Sequence, residues 1–262
     1  MLLQEIGANG RSGRKVAAIA VAVLALVGAC QTTDQSRLSD NDPLDMPAPI
    51  AEIAETAERE GNHVAAAQQY MRLFEQDEDR VEYLVGAARN LRYNGNSDEG
   101  LKLLLRYADQ LDENVAYRTE LGKTRIASGK QDAAVKDLSF AAEKTPDNWE
   151  VFSALGIAHD LQNDYGAAHE AYERAVQLSD ADPAVLNNYA LSKALSGDIE
   201  GAIALLERHP RAIRRSAHIR QNLAMFMAIQ GDMETAGELA RMDLDESQVS
   251  RNLEFFGQFQ GN

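Results

Sequence analysis

The chain has 262 residues, 45% of them hydrophobic and 6% aromatic, with six prolines, one cysteine and a formal charge of −15. That acidity argues against nucleic-acid binding and against broad adhesion to anionic lipid. A single cysteine excludes an internal disulfide, and the absence of βαβ alternation or Val/Ile-rich strand runs points to an all-α chain.

Residues 1–29 read as a secretory leader. Arg11, Arg14 and Lys15 precede an apolar run from Val16 to Val27, and the small residues Gly28 and Ala29 follow. A basic region, a short apolar core and small residues make a cleavable signal, and the run is too short for a comfortable membrane span. Val27-Gly28-Ala29-Cys30 resembles the bacterial lipobox, in which the cysteine is lipidated and becomes the first mature residue. Cys30 is the expected lipidation site, which implies a bacterial envelope. By the same resemblance Gln31, where an aspartate would retain the protein at the inner membrane, favours the outer membrane facing the periplasm. Residues 31–46 are polar and lack helical periodicity. With Cys30 they read as a tether over 30–46, reaching roughly 20–25 Å as a coil.

Residues 47–250 are expected to form six repeats. Gly61, Gly95, Gly129, Gly197 and Gly231, with Asn163, recur every 34 residues. Glycine tolerates the positive φ that ends a helix. Repeats then start at 47, 81, 115, 149, 183 and 217. Their eighth position is small (Ala54, Ala88, Gly122, Gly156, Ala190, Ala224), as is the twentieth. Large apolar side chains dominate positions 7 and 24, among them Leu121, Leu155, Leu138 and Tyr172. Small slots let helix backbones approach and large ones fill a buried stripe. Asp164, Asp198 and Asp232 follow the turn slot, where a short acid caps the next helix. Each repeat therefore reads as two antiparallel helices, A and B.

The fourth copy, Phe152-x2-Leu155-Gly156-x2-His159 then Ala168-x3-Tyr172, follows Pro146. It resembles the tetratricopeptide (TPR) pattern, W-x2-L-G-x2-Y…A-x3-F…P. Arg118 and Arg220 depart from it at the Trp slot. The fold expected is a right-handed solenoid of about six TPR helix pairs with a C-terminal capping helix. The array leaves no room for a separate catalytic domain.

In a TPR stack, A-helix positions 2, 5, 6, 9, 12 and 13 line the concave face. The candidate peptide groove is thus Ser153, Ile157 and Leu161 in repeat four; Asn187, Asn188, Leu191 and Leu195 in repeat five; and Gln221, Asn222, Met225 and Ile229 in repeat six. Asn188 and Asn222 stand 34 apart and would form a ladder whose carboxamides hydrogen-bond a peptide backbone. The apolar members would form the floor. Asn187 and Gln221 replace the lysines of a chaperone-type clamp, so a C-terminal carboxylate ligand is not expected. The plainer reading is that these residues pack against the C-terminal helix and bind nothing.

Residues 208–220 hold a basic patch of Arg208, Arg211, Arg214, Arg215 and Arg220. It meets either an acidic partner segment or lipid headgroups, or it pairs with the chain's own Asp243, Asp245 and Glu246. The five histidines form no metal-ligand motif, and no P-loop, GxGxxG or GxSxG is present. No catalytic residues, metal, cofactor or small-molecule substrate are expected. At the C-terminus, Val249, Leu253 and Phe256 share a helical face, with Phe255 and Phe259 nearby. The helix ending within 251–262 is expected to cap the array.

The run DPAVLNNYALSKALSGDIEGAIALLE (182–207) and the run RQNLAMFMAIQGDMETAGELARMDLDESQVSRNLEFF (220–256) carry a narrower likeness. The RQNLA segment, the ARxDL turn and the NLxFF tail resemble the TadD family of alphaproteobacterial Flp pilus assembly proteins, over about residues 50–257. The resemblance implies an outer-membrane lipoprotein of the tight-adherence (Tad) apparatus with a pilotin-like role toward the secretin. The alternatives are a general envelope scaffold for outer-membrane or peptidoglycan machinery, and a regulatory subunit of an envelope hydrolase.

Overall fold

The computed structural model describes residues 49–258, so Cys30, the leader, the tether and Phe259 lie outside the described residues. The described chain is helical without strands. It divides into two compact units, one within 34–163 and one within 164–262.

The 34–163 unit comprises α1 (Ile50–Arg59), α2 (His63–Gln76), α3 (Val81–Tyr93), α4 (Ser97–Leu105), α5 (Ala108–Leu111), α6 (Val115–Ala127), α7 (Gln131–Lys144) and α8 (Trp149–Leu161). The 164–262 unit comprises α9 (Tyr165–Leu178), α10 (Pro183–Leu195), α11 (Ile199–Glu207), α12 (Pro210–Arg215), α13 (Ala217–Gln230), α14 (Met233–Arg241) and α15 (Glu246–Gly257). The expected repeat starts 81, 115, 149, 183 and 217 are the first residues of α3, α6, α8, α10 and α13. The first repeat differs: α1 begins at Ile50, after Pro49, which lacks an N–H and sits in extended backbone at ψ 140°.

All six turn residues adopt positive φ, from 60° at Asn163 to 111° at Gly231. The B-helix caps form as their chemistry dictates. Asp164 accepts from the Ala167 N–H, Asp198 from Gly201 and Asp232 from Thr235, at 3.2, 2.9 and 3.0 Å. A second cap series was not read from the sequence. Asn114, Asn148, Asp182 and Ser216, at the last repeat position, accept from the first turns of α6, α8, α10 and α13.

Two repeats exceed the helix-pair plan. The B helices α4 and α11 stop after nine residues, and the short α5 and α12 follow them. In the second case Pro210 sets the break, because it disfavours helical backbone at His209 and itself opens α12.

Position 24 is buried in every repeat, whereas position 7 is not, since Ile53 is 42% exposed. In the 34–163 unit, Tyr70, Phe74, Leu84, Leu104, Tyr117 and Leu121 are buried together. Full burial of such side chains stabilises by about 1.5–3 kcal/mol each. The small slot is needed for contact. A Cβ at Gly122 would lie 2.6 Å from Leu138 Cγ; outside the slot, at position 6, one at Gly86 would lie 2.9 Å from the Tyr70 ring. The buried Tyr117 hydroxyl donates to the Leu104 carbonyl at 2.9 Å. Burial pushes this phenol up to about 12.

Arg118, which fills a Trp slot, serves a buried charge instead. Its Nε lies 3.2 Å from Asp137 Oδ1, without the alignment of a hydrogen bond, while Arg125 bonds the other carboxylate oxygen.

In the 164–262 unit the main cluster joins Leu186, Ile203, Leu206, Ile219, Leu223, Met225 and Phe226. The helix α15 packs on α13 and α14. It buries Val249 and contributes Leu253 and Phe256 to the clusters there, while Phe255 stays 37% exposed. Asp245 and Gln248 close a capping box at its start.

Candidate peptide groove

A groove exists in the 34–163 unit, over repeats two to four. Its cavity of about 570 Å³ is lined only by A helices. Arg92 and Tyr93 come from the end of α3, and Lys123, Ile126 and Ala127 from α6. Trp149, Glu150, Ser153, Ala154 and Ile157 come from α8. Apart from Trp149 at position 1, these are positions 2, 5, 6, 9, 12 and 13. The expected Ser153 and Ile157 are therefore brought together here. Leu161 is 48% exposed at the end of α8 but does not line the cavity.

Each half of the groove has a charge arrangement that fixes it. Arg92 donates to both Glu120 oxygens, at 2.8 and 3.1 Å, and Thr124 adds a 3.1 Å bond to that carboxylate. Burial works against the Arg92 charge, but Glu120 outweighs it and holds the guanidinium firmly protonated. So anchored, Arg92 lies 4.6 Å from the Tyr93 ring centre, a cation–π contact that orients a ring still 54% exposed. The His63 ring, bonded to Asn90 at 2.9 Å, supports Tyr93 from 5.2 Å. Across the middle, Lys123 Nζ reaches Glu150 Oε2 at 3.0 Å, bridging α6 and α8. An oriented aromatic, two isoleucines, a tryptophan and one partly exposed ion pair suit a polypeptide segment, with apolar pockets for side chains and charges for register.

The groove residues expected in repeats five and six are placed differently, and several expectations are corrected. Met225 is fully buried and Ile229 is 2% exposed, both in the main apolar cluster that Leu253 and Phe256 also join. They are core, not floor. Leu191 and Leu195 are half-buried against the same cluster. Asn222 is 4% exposed, its Nδ2 donates to Asn187 Oδ1 at 2.7 Å and its Oδ1 is buried without a partner, so it pairs with position 5 of the neighbouring helix and not with the half-buried Asn188. Gln221 donates to Asp243 at 3.2 Å. Met225 and Ile229 thus share their apolar cluster with Leu253 and Phe256 of the C-terminal helix. Conversely, Arg92, Tyr93, Lys123, Ile126, Trp149 and Glu150 were missed. The same positional rule, applied to repeats two to four, finds five of these six.

The basic patch divides. Arg220 is bound to Asp243 through Nε at 2.7 Å, and Nη1 reaches the Ile213 and Arg214 carbonyls at 2.7 and 3.0 Å. Of the other proposed acids, Asp245 caps α15 and Glu246 pairs with Arg241. Arg208, Arg211, Arg214 and Arg215 are exposed and have no ion-pair partner among the described residues. Among the described residues no cluster of His, Cys, Asp and Glu is placed to hold a metal, and no helix is long and apolar enough to cross a membrane.

The tetratricopeptide repeat family matches this sequence twice, over residues 119–183 and 153–217. No curated protein sequence matches it. Several solved structures share the fold. TTC0263, a TPR protein of Thermus thermophilus, aligns at TM-score 0.59 and 16% identity, over 68% of this chain and 97% of its own. MamA MSR-1 aligns at 0.51 and 24%, over 63% and 95%. MamA from Desulfovibrio magneticus RS-1 aligns at 0.53 and 14%, over 63% and 93%.

Proposed function

Taking the chain as a tetratricopeptide-repeat protein, we propose that it is a lipid-anchored scaffold of the bacterial outer membrane, facing the periplasm. Its role is to help assemble or localise the secretin of a Tad/Flp pilus. TPR proteins are typically non-enzymatic and suited to protein–protein interaction, and the solvent-open groove between α3, α6 and α8 is the observation that carries this reading. The lipobox-like Val27–Cys30 supports the anchor, and the TadD-like segments at 182–207 and 220–256 support the pilus.

In this account Cys30 carries the lipid, residues 31–46 give reach, and the groove takes an extended or helical segment of the secretin or of another Tad component. Holding both proteins at one membrane raises their effective concentration. Deleting the gene should abolish surface pili or the secretin multimer. Normal pili and normal multimers in the deletion strain would sink the proposal. Separately, Cys30→Ser should shift the protein from the membrane to the soluble fraction, and persistence in the membrane would remove the lipid anchor from the account.

A further inference from the structure

Three of the four unpaired arginines line a recess of about 620 Å³ within the 164–262 unit. Arg208, Arg211 and Arg215 line one side, around the α11–α12 elbow, and Arg214 does not line it. The opposite wall is the α9–α10 connection, Ser179–Pro183. That wall is built at a cost. Asp180 and Ala181 both adopt left-handed backbone, φ 51° and 60°, a conformation that the alanine Cβ disfavours. The shape is held by the Ala181 N–H on the Val176 carbonyl at 3.1 Å and the Asp182 N–H on Ser179 Oγ at 3.1 Å. Pro183 and Pro210 stiffen the two walls.

The charges do not cancel within the recess. Asp182 is committed to the start of α10, accepting from the Ala184 N–H at 2.8 Å. The Arg208 Nε is fixed to the Ala204 carbonyl at 3.0 Å, which aims the rest of its guanidinium without neutralising it. Three guanidinium groups thus face two carboxylates, Asp180 and the capping Asp182, which leaves the recess net positive in a chain of net charge −15.

We propose that this recess is a docking site for an acidic peptide segment of a partner protein, its carboxylates taken by Arg208, Arg211 and Arg215. The planar guanidinium fork pairs bidentately with a carboxylate. A bilayer surface fits less well. The arginines line a recess, which a narrow extended segment can enter and a flat headgroup layer cannot fill. The inference stands independently of the groove over repeats two to four and of the pilus reading.

The test is fluorescence anisotropy of fluorescein-labelled hexaglutamate with the purified full chain. Saturable binding is expected, weakening about tenfold or more in the Arg211→Gln/Arg215→Gln double variant and less than about twofold in Arg214→Gln. Unchanged thermal melts are expected for both, since these side chains are exposed. Three results would overturn the proposal: no saturable binding, equal losses for Arg214→Gln and for the double variant, or arginine-dependent binding to phosphatidylglycerol vesicles with none to the peptide.

Discussion

At position 13 of the A helix, the 34–163 unit places Tyr93 and Leu161, which are 54% and 48% exposed. The 164–262 unit places Ile229 at the same position, and it is 2% exposed. Position 9 repeats the contrast: Lys123 and Ile157 line an open groove, whereas Met225 is fully buried. A position in a repeat therefore fixes the direction a side chain takes from its helix. It does not fix whether solvent or protein waits there. In the second unit α15 packs on α13 and α14 and its Leu253 and Phe256 join the core that Met225 and Ile229 fill.

Four measurements test that contrast. The largest effect is expected from Asp137→Ala. Asp137 is 1% exposed beside Arg125 and Arg118, and removing it strands buried positive charge at about 3–5 kcal/mol. Urea unfolding followed by Trp149, which lies in the 34–163 unit, should show the loss. Burial pushes the Asp137 carboxyl above its ordinary range even against Arg125 and Arg118. Asp137→Asn keeps the shape but removes the charge, so it should cost nearly as much, and a much smaller cost would remove the charge from the explanation.

Met225→Ala should cost about 2–5 kcal/mol by circular-dichroism melting, as a core truncation does, while leaving partner capture intact well below the transition. A groove residue would behave in the opposite way. The double variant Tyr93→Ala/Ile157→Ser should change stability by less than about 1 kcal/mol, yet weaken co-purification of the partner proposed above several-fold. Undiminished capture by that variant would close the groove as a binding site.

The smallest effect concerns acid. The Arg220 hydrogen bonds hold the Asp243 carboxyl below the usual carboxylate range. That contribution is complete above about pH 4 and is lost as pH falls through the depressed value. Asp243→Asn should lower stability at pH 7 by less than about 1 kcal/mol, because the pair is near the surface. It should also flatten the acid limb of a stability–pH curve, and an unchanged limb would mean the pair contributes nothing.

The turn series and the B-helix caps were legible because each depends on one residue and its immediate neighbours. Gly231 takes φ 111° and Asp232 caps α14 whatever lies beyond them. The early end of α11 was legible in principle, since Pro210 alone imposes it. The fate of Asn222 was not. Its carboxamide could serve a peptide or Asn187, and a position 35 residues away decided between them. Arg118 and Arg220, both deviations at the Trp slot, show the same limit. One joins a buried ion cluster at Asp137, and the other takes Asp243 out of the field around the basic patch.

The sequence by itself determined the helix pairs, their 34-residue register and the slots where helices touch, because these follow from local backbone preference and periodic side-chain size. Tertiary structure decided which A-helix faces stay open, which arginines stay unpaired and where a recess forms. Those outcomes depend on what packs beside each helix, and distant segments such as α15 and the left-handed turn at Asp180–Ala181 supply it.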